Sequence, residues 1–325
     1  MRLKVMLATL AVVAASMTFP TVASGTTTND GALWGSSFTG SATTAEECGT
    51  EGGPRSVDIG HFCVIDDFGA VELGVRFTSA KPVVVTGVRV YRVDAGTVTG
   101  SLWSADGVLM ATGTFDAQAD HGWQDLRFSS PVPILANQTY VASYSAPNAD
   151  YAFEWDYFTN QSWTSGPITA MQSTEAQGNG LYCYVGHDCD PFPSNTFRDS
   201  NYWVSPLWLS YDFTGFFQPV DMDKLNTVKA GSAIPVKFSL GGDKGLGILK
   251  EGFPKATKIG CDASEPTDAI ETTVTAGNST LTYDALAGQY VYVWKTVKTS
   301  AGNCYRFDLG LVDGSDHSFE VKLLK

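Results

Sequence analysis

The feature that most constrains the fold is a series of short apolar segments, many of which alternate with polar residues. Residues 83–92 (VVVTGVRVYR) show the pattern well. Gly, Pro, Asn and Asp separate such segments at roughly 8–12-residue intervals, as in β-sandwiches. No segment after residue 24 shows the sustained i, i+3, i+4, i+7 apolar stripe that is typical of a long helix. The sequence therefore predicts an all-β protein.

The predicted strands fall into two groups. The first comprises residues 71–78, 83–92, 100–103, 109–115, 123–128, 139–144, 151–158 and 203–213. The second comprises residues 232–240, 271–276, 280–283, 290–296, 305–312 and 318–323. Their number and spacing favour a jelly-roll-like β-sandwich over residues 70–214 and a smaller immunoglobulin-like β-sandwich over residues 220–325. Residues 215–219 are predicted to link the two.

The charge distribution changes near the same boundary. The chain carries 21 basic and 34 acidic side chains, a formal net charge of −13. Residues 1–216 hold 9 basic and 21 acidic side chains, whereas residues 217–325 hold 12 and 13. This contrast supports two separate modules. An acidic chain without a basic stripe is a poor partner for nucleic acid.

The first 24 residues have the pattern of a signal peptide. Arg2 and Lys4 precede an apolar run, and small residues around Ala23 and Ser24 suit cleavage. The run is shorter than the ~20 residues that a membrane-spanning helix needs. We therefore expect a secreted, extracellular protein, free or associated with the cell surface, with no membrane insertion after cleavage.

All six cysteines follow the predicted signal peptide. An even number in an exported chain indicates disulfides, and six cysteines allow 15 pairings. The absence of CxxC spacing argues against structural zinc. Proximity in sequence predicts the bridges Cys48–Cys63, Cys183–Cys189 and Cys261–Cys304. The first bridge would lie within residues 25–69, a segment rich in Gly, Ser and Thr that we call the lead-in.

Aromatic side chains are concentrated between residues 155 and 208. Aromatic rings can stack on the apolar faces of sugars, but most such rings are buried in cores. Trp208 and Tyr211 lie in an apolar segment and are expected in the core. The predicted ligand-binding platform consists of Trp155, Tyr157, Trp163 and Tyr184. Amide side chains expected to bind sugar hydroxyls nearby are Asn160, Gln161 and Asn179.

Catalytic motifs are not evident. After residue 24 the sequence contains no G-x-S-x-G, no S-x-x-K and no H-E-x-x-H. Glu154 and Asp156 are predicted to share one face of a strand, which allows a glycosidase-like acid pair. A solvent-facing acidic pair is the favoured interpretation. We therefore predict no catalytic residues and no enzyme activity, with a cryptic glycan hydrolase as an alternative.

Metal binding is a weaker hypothesis. Carboxylates in predicted loops could hold a structural Ca²⁺ ion, or they could form Asx turns. The candidates are Asp66, Asp67, Asp188 and Asp190. No other cofactor is predicted.

Residues 70–214 resemble a bacterial exported domain of unknown function. The resemblance rests on residues 87–91 (GVRVY), 100–103 (GSLW), 122–124 (GWQ), 139–144 (TYVASY), 146–148 (APN), 157–158 (YF), 166–167 (GP) and 201–203 (NYW). It implies a β-sandwich accessory module of secreted or surface proteins, with no catalytic residues to transfer. The regions of Cys48–Cys63 and Cys183–Cys189 fall outside the family pattern.

Residues 219–325 resemble a C-terminal module named for a P-x-K-F motif. The matching segments are residues 226–232 (NTVKAGS), 235–238 (PVKF) and 290–294 (YVYVW), together with Cys261 and Cys304. This resemblance implies an immunoglobulin-like exported module without an assigned activity. Pro235 is expected at a strand edge, Phe238 in the core and Lys237 towards solvent.

Taken together, these features predict a secreted, non-catalytic binding or accessory protein. Its predicted partner is an extracellular or cell-wall polysaccharide, bound by the first module, with the second module as a spacer or docking domain. A structural or adhesion protein that binds surface proteins is the first alternative, and the glycan hydrolase is the second.

Overall fold

The computed structural model describes residues 30–35, 55–56, 63–66, 69–93, 96–117, 122–189, 191–261, 274–275 and 281–325. It confirms the all-β class, because strands form two sandwiches and the helical element assigned in these ranges is a short 3-10 turn at Lys298–Ser300. Within these ranges, no helix is long and apolar enough to cross a membrane. The predicted signal peptide lies outside the described residues.

The first sandwich contains fifteen strands in the described ranges. They are β1 (Gly31–Ala32), β2 (Arg55–Ser56), β3 (Cys63–Asp66), β4 (Val71–Ser79), β5 (Val83–Arg92), β6 (Gly96–Ser104), β7 (Leu109–Ala117), β8 (Gly122–Ile134), β9 (Thr139–Ala146), β10 (Asp150–Phe153), β11 (Trp163–Ser165), β12 (Ile168–Ala170), β13 (Leu181–Tyr184), β14 (Asn195–Thr196) and β15 (Val204–Leu209).

Two large sheets enclose its core. One has the order β1-β15-β5-β8, and the other the order β11-β12-β4-β9-β6-β7, with β13 paired to β4 and β14 paired to β13. A small third sheet, β10-β3-β2, completes the sandwich. The sheets approach closely at Gly100, where an added Cβ would lie 2.2 Å from a methyl carbon of Val88. A glycine is required there because any side chain would enter the opposite sheet.

The lead-in predicted over residues 25–69 contributes to this sandwich. β1 pairs antiparallel with β15, and the side chains of Leu33 and Trp34 are buried in the core. The Leu33 N–H donates to Ser205 Oγ at 2.7 Å, and Asp30 forms an ion pair with Arg127. Because these residues pair with a strand of the first sandwich and pack in its core, the first module begins well before residue 70. The predicted boundary is therefore corrected.

The second sandwich contains nine strands in the described ranges. They are β16 (Thr214–Phe217), β17 (Asn226–Lys229), β18 (Ala233–Ser239), β19 (Lys255–Ile259), β20 (Val274–Thr275), β21 (Leu281–Asp284), β22 (Gln289–Lys295), β23 (Cys304–Gly310) and β24 (Asp316–Leu324). One sheet has the order β16-β18-β22-β21, and the other the order β17-β24-β23-β19-β20. β17 and β24 run parallel, whereas the other pairs are antiparallel.

The PVKF segment lies in β18 and has the predicted alternation. Phe238 is fully buried, and Lys237 is half-buried. Pro235 is paired with Val293 of β22, while the pairing of β16 with β18 ends at Lys237. A proline is tolerated there because β16 does not extend alongside it.

The predicted linker, residues 215–219, is largely a strand. β16 pairs with β18, and Phe216 is buried in the second core against Phe319, with ring centroids 5.1 Å apart. The predicted strand 203–213 is correspondingly shorter and ends at Leu209. The prediction was wrong because the Gly and Pro of this segment suggested a linker, whereas its two phenylalanines required burial.

The peptide groups of Tyr211 join the two sandwiches. Its N–H donates to Asp313 Oδ2 of the second sandwich at 2.7 Å, and its carbonyl accepts from Lys81 Nζ of the first at 3.3 Å. Gly314 lies against Val84 of β5 at the same junction, where an added Cβ would be 3.3 Å from a Val84 methyl carbon. The connection is therefore held from both sides.

Two of the three predicted disulfides are confirmed. Cys183–Cys189 and Cys261–Cys304 join residues 6 and 43 positions apart. Cys48 lies outside the described residues, so the Cys48–Cys63 bridge stays a prediction.

We predict that Trp34→Ala destabilises the first sandwich by about 3–5 kcal/mol, since it would leave a large cavity. Trp34 is fully buried, with ring centroids 5.5 Å from Trp203 and 6.3 Å from Tyr157. Urea unfolding followed by circular dichroism measures the change. Leu135→Ala, at a side chain that is 66% exposed in the same sandwich, is the control. Equal stability of the two variants would contradict the burial of this segment.

Candidate functional site

Two loops of the first sandwich, residues 154–159 and 197–203, pair with each other beyond the end of β10. We call them the loop corner. Glu154 and Asn201 exchange two backbone hydrogen bonds, of 2.9 and 2.8 Å. Two further backbone bonds extend the pairing, from Asp156 N to Arg198 O at 2.8 Å and from Phe158 N to Asp199 O at 2.9 Å. The corner is therefore a hydrogen-bonded unit and not a pair of independent loops.

Four residues of the loop corner, none of them glycine, have left-handed backbone conformations. The φ angles are 59° at Asp156, 50° at Arg198, 48° at Asp199 and 54° at Trp203. Such a conformation is uncommon outside glycine, and a bulky side chain makes it rarer. Each residue held in this way costs on the order of 1–3 kcal/mol, and such residues cluster at functional sites.

The surrounding structure holds Trp203 in this conformation. Its side chain is fully buried, its N–H donates to Asn201 Oδ1 at 2.9 Å, and its carbonyl accepts from Tyr91 N at 3.0 Å. Three rings surround the indole, at centroid distances of 5.5 Å for Trp34, 5.6 Å for Tyr157 and 6.4 Å for Trp123. The aromatic core therefore fixes the base of the loop corner.

The outer surface of the loop corner carries an ion pair over an aromatic ring. Arg198 Nη2 lies 2.6 Å from Asp156 Oδ2, and its guanidinium carbon is 4.5 Å from the centroid of the Trp155 ring. The side chains of Arg198 and Asp156 are 43% and 56% exposed. Trp155 also packs on Phe153 at a centroid distance of 5.0 Å. A charged donor and a charged acceptor are thus presented to solvent in a fixed geometry.

Polar groups and one exposed ring border this pair. Thr159 Oγ1 donates to Asp199 Oδ2 at 3.1 Å, and Gln172 Nε2 donates to the Thr159 carbonyl at 3.1 Å. Phe197 is 46% exposed, and Asn160 directly follows the corner on the surface. The corner therefore combines hydrogen-bond donors and acceptors with an exposed apolar ring face.

Tyr157 is not part of any exposed surface. It is 7% exposed, lies in the aromatic core, and accepts a hydrogen bond from Trp34 Nε1 at 3.3 Å. Burial raises the pKa of its hydroxyl to about 12. Its prediction as an exposed ligand contact is therefore corrected. Aromatic composition does not distinguish a ring that faces the core from one that faces solvent.

The other three predicted platform residues are half-buried. Trp155 lies beneath Arg198, as described above. Trp163 donates its Nε1–H to the Leu33 carbonyl at 2.8 Å, so it helps to hold the N-terminal segment. Tyr184 packs on Tyr182, with centroids 5.7 Å apart. Each of these residues has a packing role besides any binding role.

Asn179, predicted to bind sugar hydroxyls, is instead buried, and its side chain is hydrogen-bonded to backbone groups of three other residues. Its Oδ1 accepts from the backbone N–H groups of Arg76 and Gly180, each at 2.8 Å. Its Nδ2 donates to the carbonyls of Arg76 at 3.0 Å and Met171 at 2.7 Å. All of its hydrogen-bonding capacity is used within the protein.

The predicted strand 151–158 ends early, which alters the interpretation of the acidic pair. β10 ends at Phe153, and Asp156 has a left-handed conformation. The alternation that would place Glu154 and Asp156 on one strand face therefore does not apply. Asp156 is instead paired with Arg198.

The calcium candidates are only partly described. Asp188 accepts from the Tyr184 N–H at 2.6 Å through Oδ1 and from Asn195 Nδ2 through Oδ2, so both oxygens are engaged. Asp67, Asp190 and the side chain of Asp66 lie outside the described residues. Within the described part, no group of three or more His, Cys, Asp or Glu side chains is placed to hold a metal ion. Structural calcium stays a prediction.

Comparison with known families finds a match, and it lies within the first sandwich. Residues 57–204 match the family model of a domain of unknown function, DUF4082. This part of the chain is thus similar to DUF4082 domains. The match begins after Trp34 and reaches Val204, the first residue of β15, so it includes the whole loop corner. A search of curated proteins finds no match. The predicted resemblance to a domain of unknown function is confirmed in this range, whereas the PxKF module stays a prediction.

Sequence reasoning missed Arg198 and Phe197 as members of the site. Neither lies in a recognisable motif, and Arg198 is distant in sequence from its partners Trp155 and Asp156. The left-handed positions gave no signal either, since none of the four residues is glycine. Positively charged residues are rare in the first module, and this rarity is the one sequence property that could have drawn attention to Arg198.

We predict that the exposed charges of the loop corner contribute little to stability, whereas Asn179 contributes much. Asp156→Asn and Arg198→Gln should each change the free energy of unfolding by less than about 1 kcal/mol, because exposed ion pairs are weak. Asn179→Ala should cost about 3 kcal/mol or more, because it leaves buried backbone groups without partners. Urea titration of the three variants tests the ranking, and a reversed order would contradict the assigned roles.

Proposed function

We propose that this protein is a secreted, non-catalytic binding protein whose DUF4082 domain recognises an extracellular or cell-wall polysaccharide at the loop corner. The observation that carries the proposal is the exposed Arg198–Asp156 pair over Trp155, held on four strained residues. Backbone strain persists only where surrounding structure enforces it, and it is typical of sites whose geometry serves a function.

The chemistry of the loop corner suits a ligand rich in hydroxyl groups. A guanidinium group offers several N–H donors in a fixed plane, and a carboxylate offers acceptors. Hydrogen bonds to charged groups are stronger than those between neutral groups. The exposed ring of Phe197 adds an apolar surface on which the C–H face of a sugar can pack. A sugar presents both kinds of surface at once.

The arrangement favours binding over catalysis. Glycoside hydrolysis needs two carboxyl groups on either side of the bond to be cleaved. At the loop corner Asp156 is engaged by Arg198, and it lies in a turn and not on a strand that carries Glu154. A guanidinium-bound carboxylate is suited to hold a ligand. It is less suited to act as a general acid.

The second sandwich serves as a spacer or docking domain in this proposal. Its two packed sheets and its buried Phe238 are compatible with an immunoglobulin-like PxKF module. The braced junction at Tyr211 would hold the loop corner at a defined orientation relative to that module.

A pull-down with insoluble polysaccharides, together with a glycan array, tests the proposal on the secreted chain. Arg198→Gln should weaken binding by about tenfold or more, since a charged hydrogen bond contributes roughly 1.5–3 kcal/mol. Trp155→Ala should also weaken binding, because it removes the ring on which the Arg198 guanidinium lies. Arg306→Gln is the matched control, because Arg306 is 44% exposed and pairs with Asp308 at 2.9 Å in the other sandwich. Its binding should equal that of the wild type.

Other outcomes point elsewhere. Unchanged binding in both corner variants would exclude the loop corner. A Trp163→Ala, Tyr184→Ala variant, checked for folding, then tests the remaining part of the platform expected from the sequence. A folded protein that binds no saccharide would overturn the proposal in favour of adhesion to protein partners, and release of reducing ends would indicate a hydrolase.

A further inference from the structure

The outer face of the large sheet holds a buried carboxyl group beside a disulfide. Glu72 of β4 is 7% exposed, and the strand register places it directly opposite Cys183 of β13 and Ser145 of β9. Directly opposite residues in adjacent strands share a face, with Cβ atoms about 5 Å apart. The Cβ atoms of Glu72 and Cys183 are therefore neighbours on this face of the sheet.

A chain of hydrogen bonds positions this carboxyl group. Trp103 Nε1 donates to Ser143 Oγ at 2.7 Å, and Ser143 Oγ donates to Glu72 Oε1 at 2.5 Å. This chain occupies Oε1 and leaves Oε2 for a second group. Burial raises the pKa of Glu72 to about 7, even though the Ser143 hydrogen bond lowers it. Near neutral pH the group therefore exists in both protonated and ionised forms.

The neighbours of Glu72 in the described part of the chain carry no charge that would explain its burial. The side chains that face it in the register belong to Ser145 and Cys183. The next charged group on its strand and face is Arg76, which donates to the Gly178 carbonyl. The carboxyl group is therefore held by a hydroxyl and not by an ion pair.

The fold does not gain stability from this ionisable group. Because the pKa of Glu72 is higher in the folded state than its usual 4.5, the folded chain binds more protons than the unfolded chain between about pH 4.5 and 7. Stability therefore falls as the pH rises through that range. A glutamine could accept the same hydrogen bond without this loss. A strongly perturbed carboxyl group beside a reactive bond is typical of functional sites.

The two sulfurs of the neighbouring disulfide differ in access. Cys183 is fully buried on the sheet face that also carries the apolar cluster of Trp103, Val141 and Leu181. Cys189 is half-buried and ends an exposed loop, residues 185–188. A solvent thiol therefore reaches Cys189 first. Cys183 would then be released into apolar surroundings, where a thiolate is disfavoured.

We propose that Cys183–Cys189 is a thiol–disulfide exchange site in which the Glu72 carboxyl donates the proton that Cys183 needs. An external thiolate attacks Cys189 Sγ, and the S–S bond breaks with its electron pair on Cys183 Sγ. That sulfur takes the proton of Glu72, which leaves a Cys183 thiol, a Glu72 carboxylate and a mixed disulfide at Cys189.

A second external thiolate completes the exchange. It attacks the external sulfur of the mixed disulfide, and the electron pair of that bond leaves on Cys189 as a thiolate. Two external thiols are thereby oxidised to one disulfide, and the bridge is reduced by two electrons. The co-reactant is a small thiol or the cysteine pair of a partner protein, and the reverse reaction oxidises such a pair.

The second disulfide of the chain is a matched internal control. Cys304 is fully buried and Cys261 is half-buried, so the access of the two sulfurs follows the same pattern. The residues opposite Cys304 in the register are Ile259 and Lys322, neither of which is an acid. A difference in reactivity between the two bridges therefore reports on their different surroundings, with a carboxyl group opposite Cys183 and an ammonium group opposite Cys304.

The test measures the reduction of each bridge in the full chain by reduced glutathione between pH 5.5 and 8.5. Alkylation and peptide mass spectrometry follow the two bridges separately, and rates are divided by the glutathione thiolate concentration. For Cys183–Cys189 we expect this normalised rate to fall as the pH rises through about 7. Glu72→Gln should lower it at least about tenfold at pH 6 and remove its pH dependence. Cys261–Cys304 should not change.

Ser143→Ala provides a second readout. Loss of the Ser143 hydrogen bond should shift the midpoint of the pH dependence of the normalised reduction rate to higher pH. Identical normalised rates and pH profiles for wild type and folded Glu72→Gln would overturn the proposal. So would reduction of Cys183–Cys189 no faster than that of Cys261–Cys304, or an unmoved midpoint in Ser143→Ala. None of these measurements involves a saccharide, so their outcome is independent of the function proposed above.

Discussion

The packing of Trp203 among Trp34, Tyr157 and Trp123 is the interaction on which the first sandwich and its loop corner depend. These four rings come from the N-terminal segment, the first corner loop, the end of the second corner loop and β8. Edge-to-face aromatic contacts add to the stabilisation from burial alone. Because these rings enclose Trp203 from several sides, its strained conformation is tolerated. The same contacts fix the two corner loops relative to the core.

The sequence predicted regular strands well because at least one face of each is buried. Residues 83–92 were predicted as a strand and form β5, and the predicted strand 71–78 differs from β4 by one residue. An apolar residue at every second position indicates that one face of a strand is buried, and in these segments that burial determined the structure. The same reasoning placed Phe238 in the second core.

The loop corner could not be predicted in the same way. Asp156 interrupts a segment whose apolar pattern continues to Phe158, and the cause lies in hydrogen bonds to residues about forty positions away. The direction of a ring outside a regular strand depends on such contacts, which is why Tyr157 was expected outside and lies inside. At residues 215–219 the error ran in the other direction. Gly and Pro suggested an exposed linker, but burial of the phenylalanines made most of the segment a strand.

The junction at Tyr211 has a mechanical consequence. A flexible tether between domains absorbs extension by straightening, but a backbone held at its amide by Asp313 and at its carbonyl by Lys81 has no slack to release. If one sandwich is anchored and the other holds a ligand, a pulling force therefore loads these two hydrogen bonds together with the contact between Gly314 and Val84. The two sandwiches would respond to tension as a coupled pair until both bonds break.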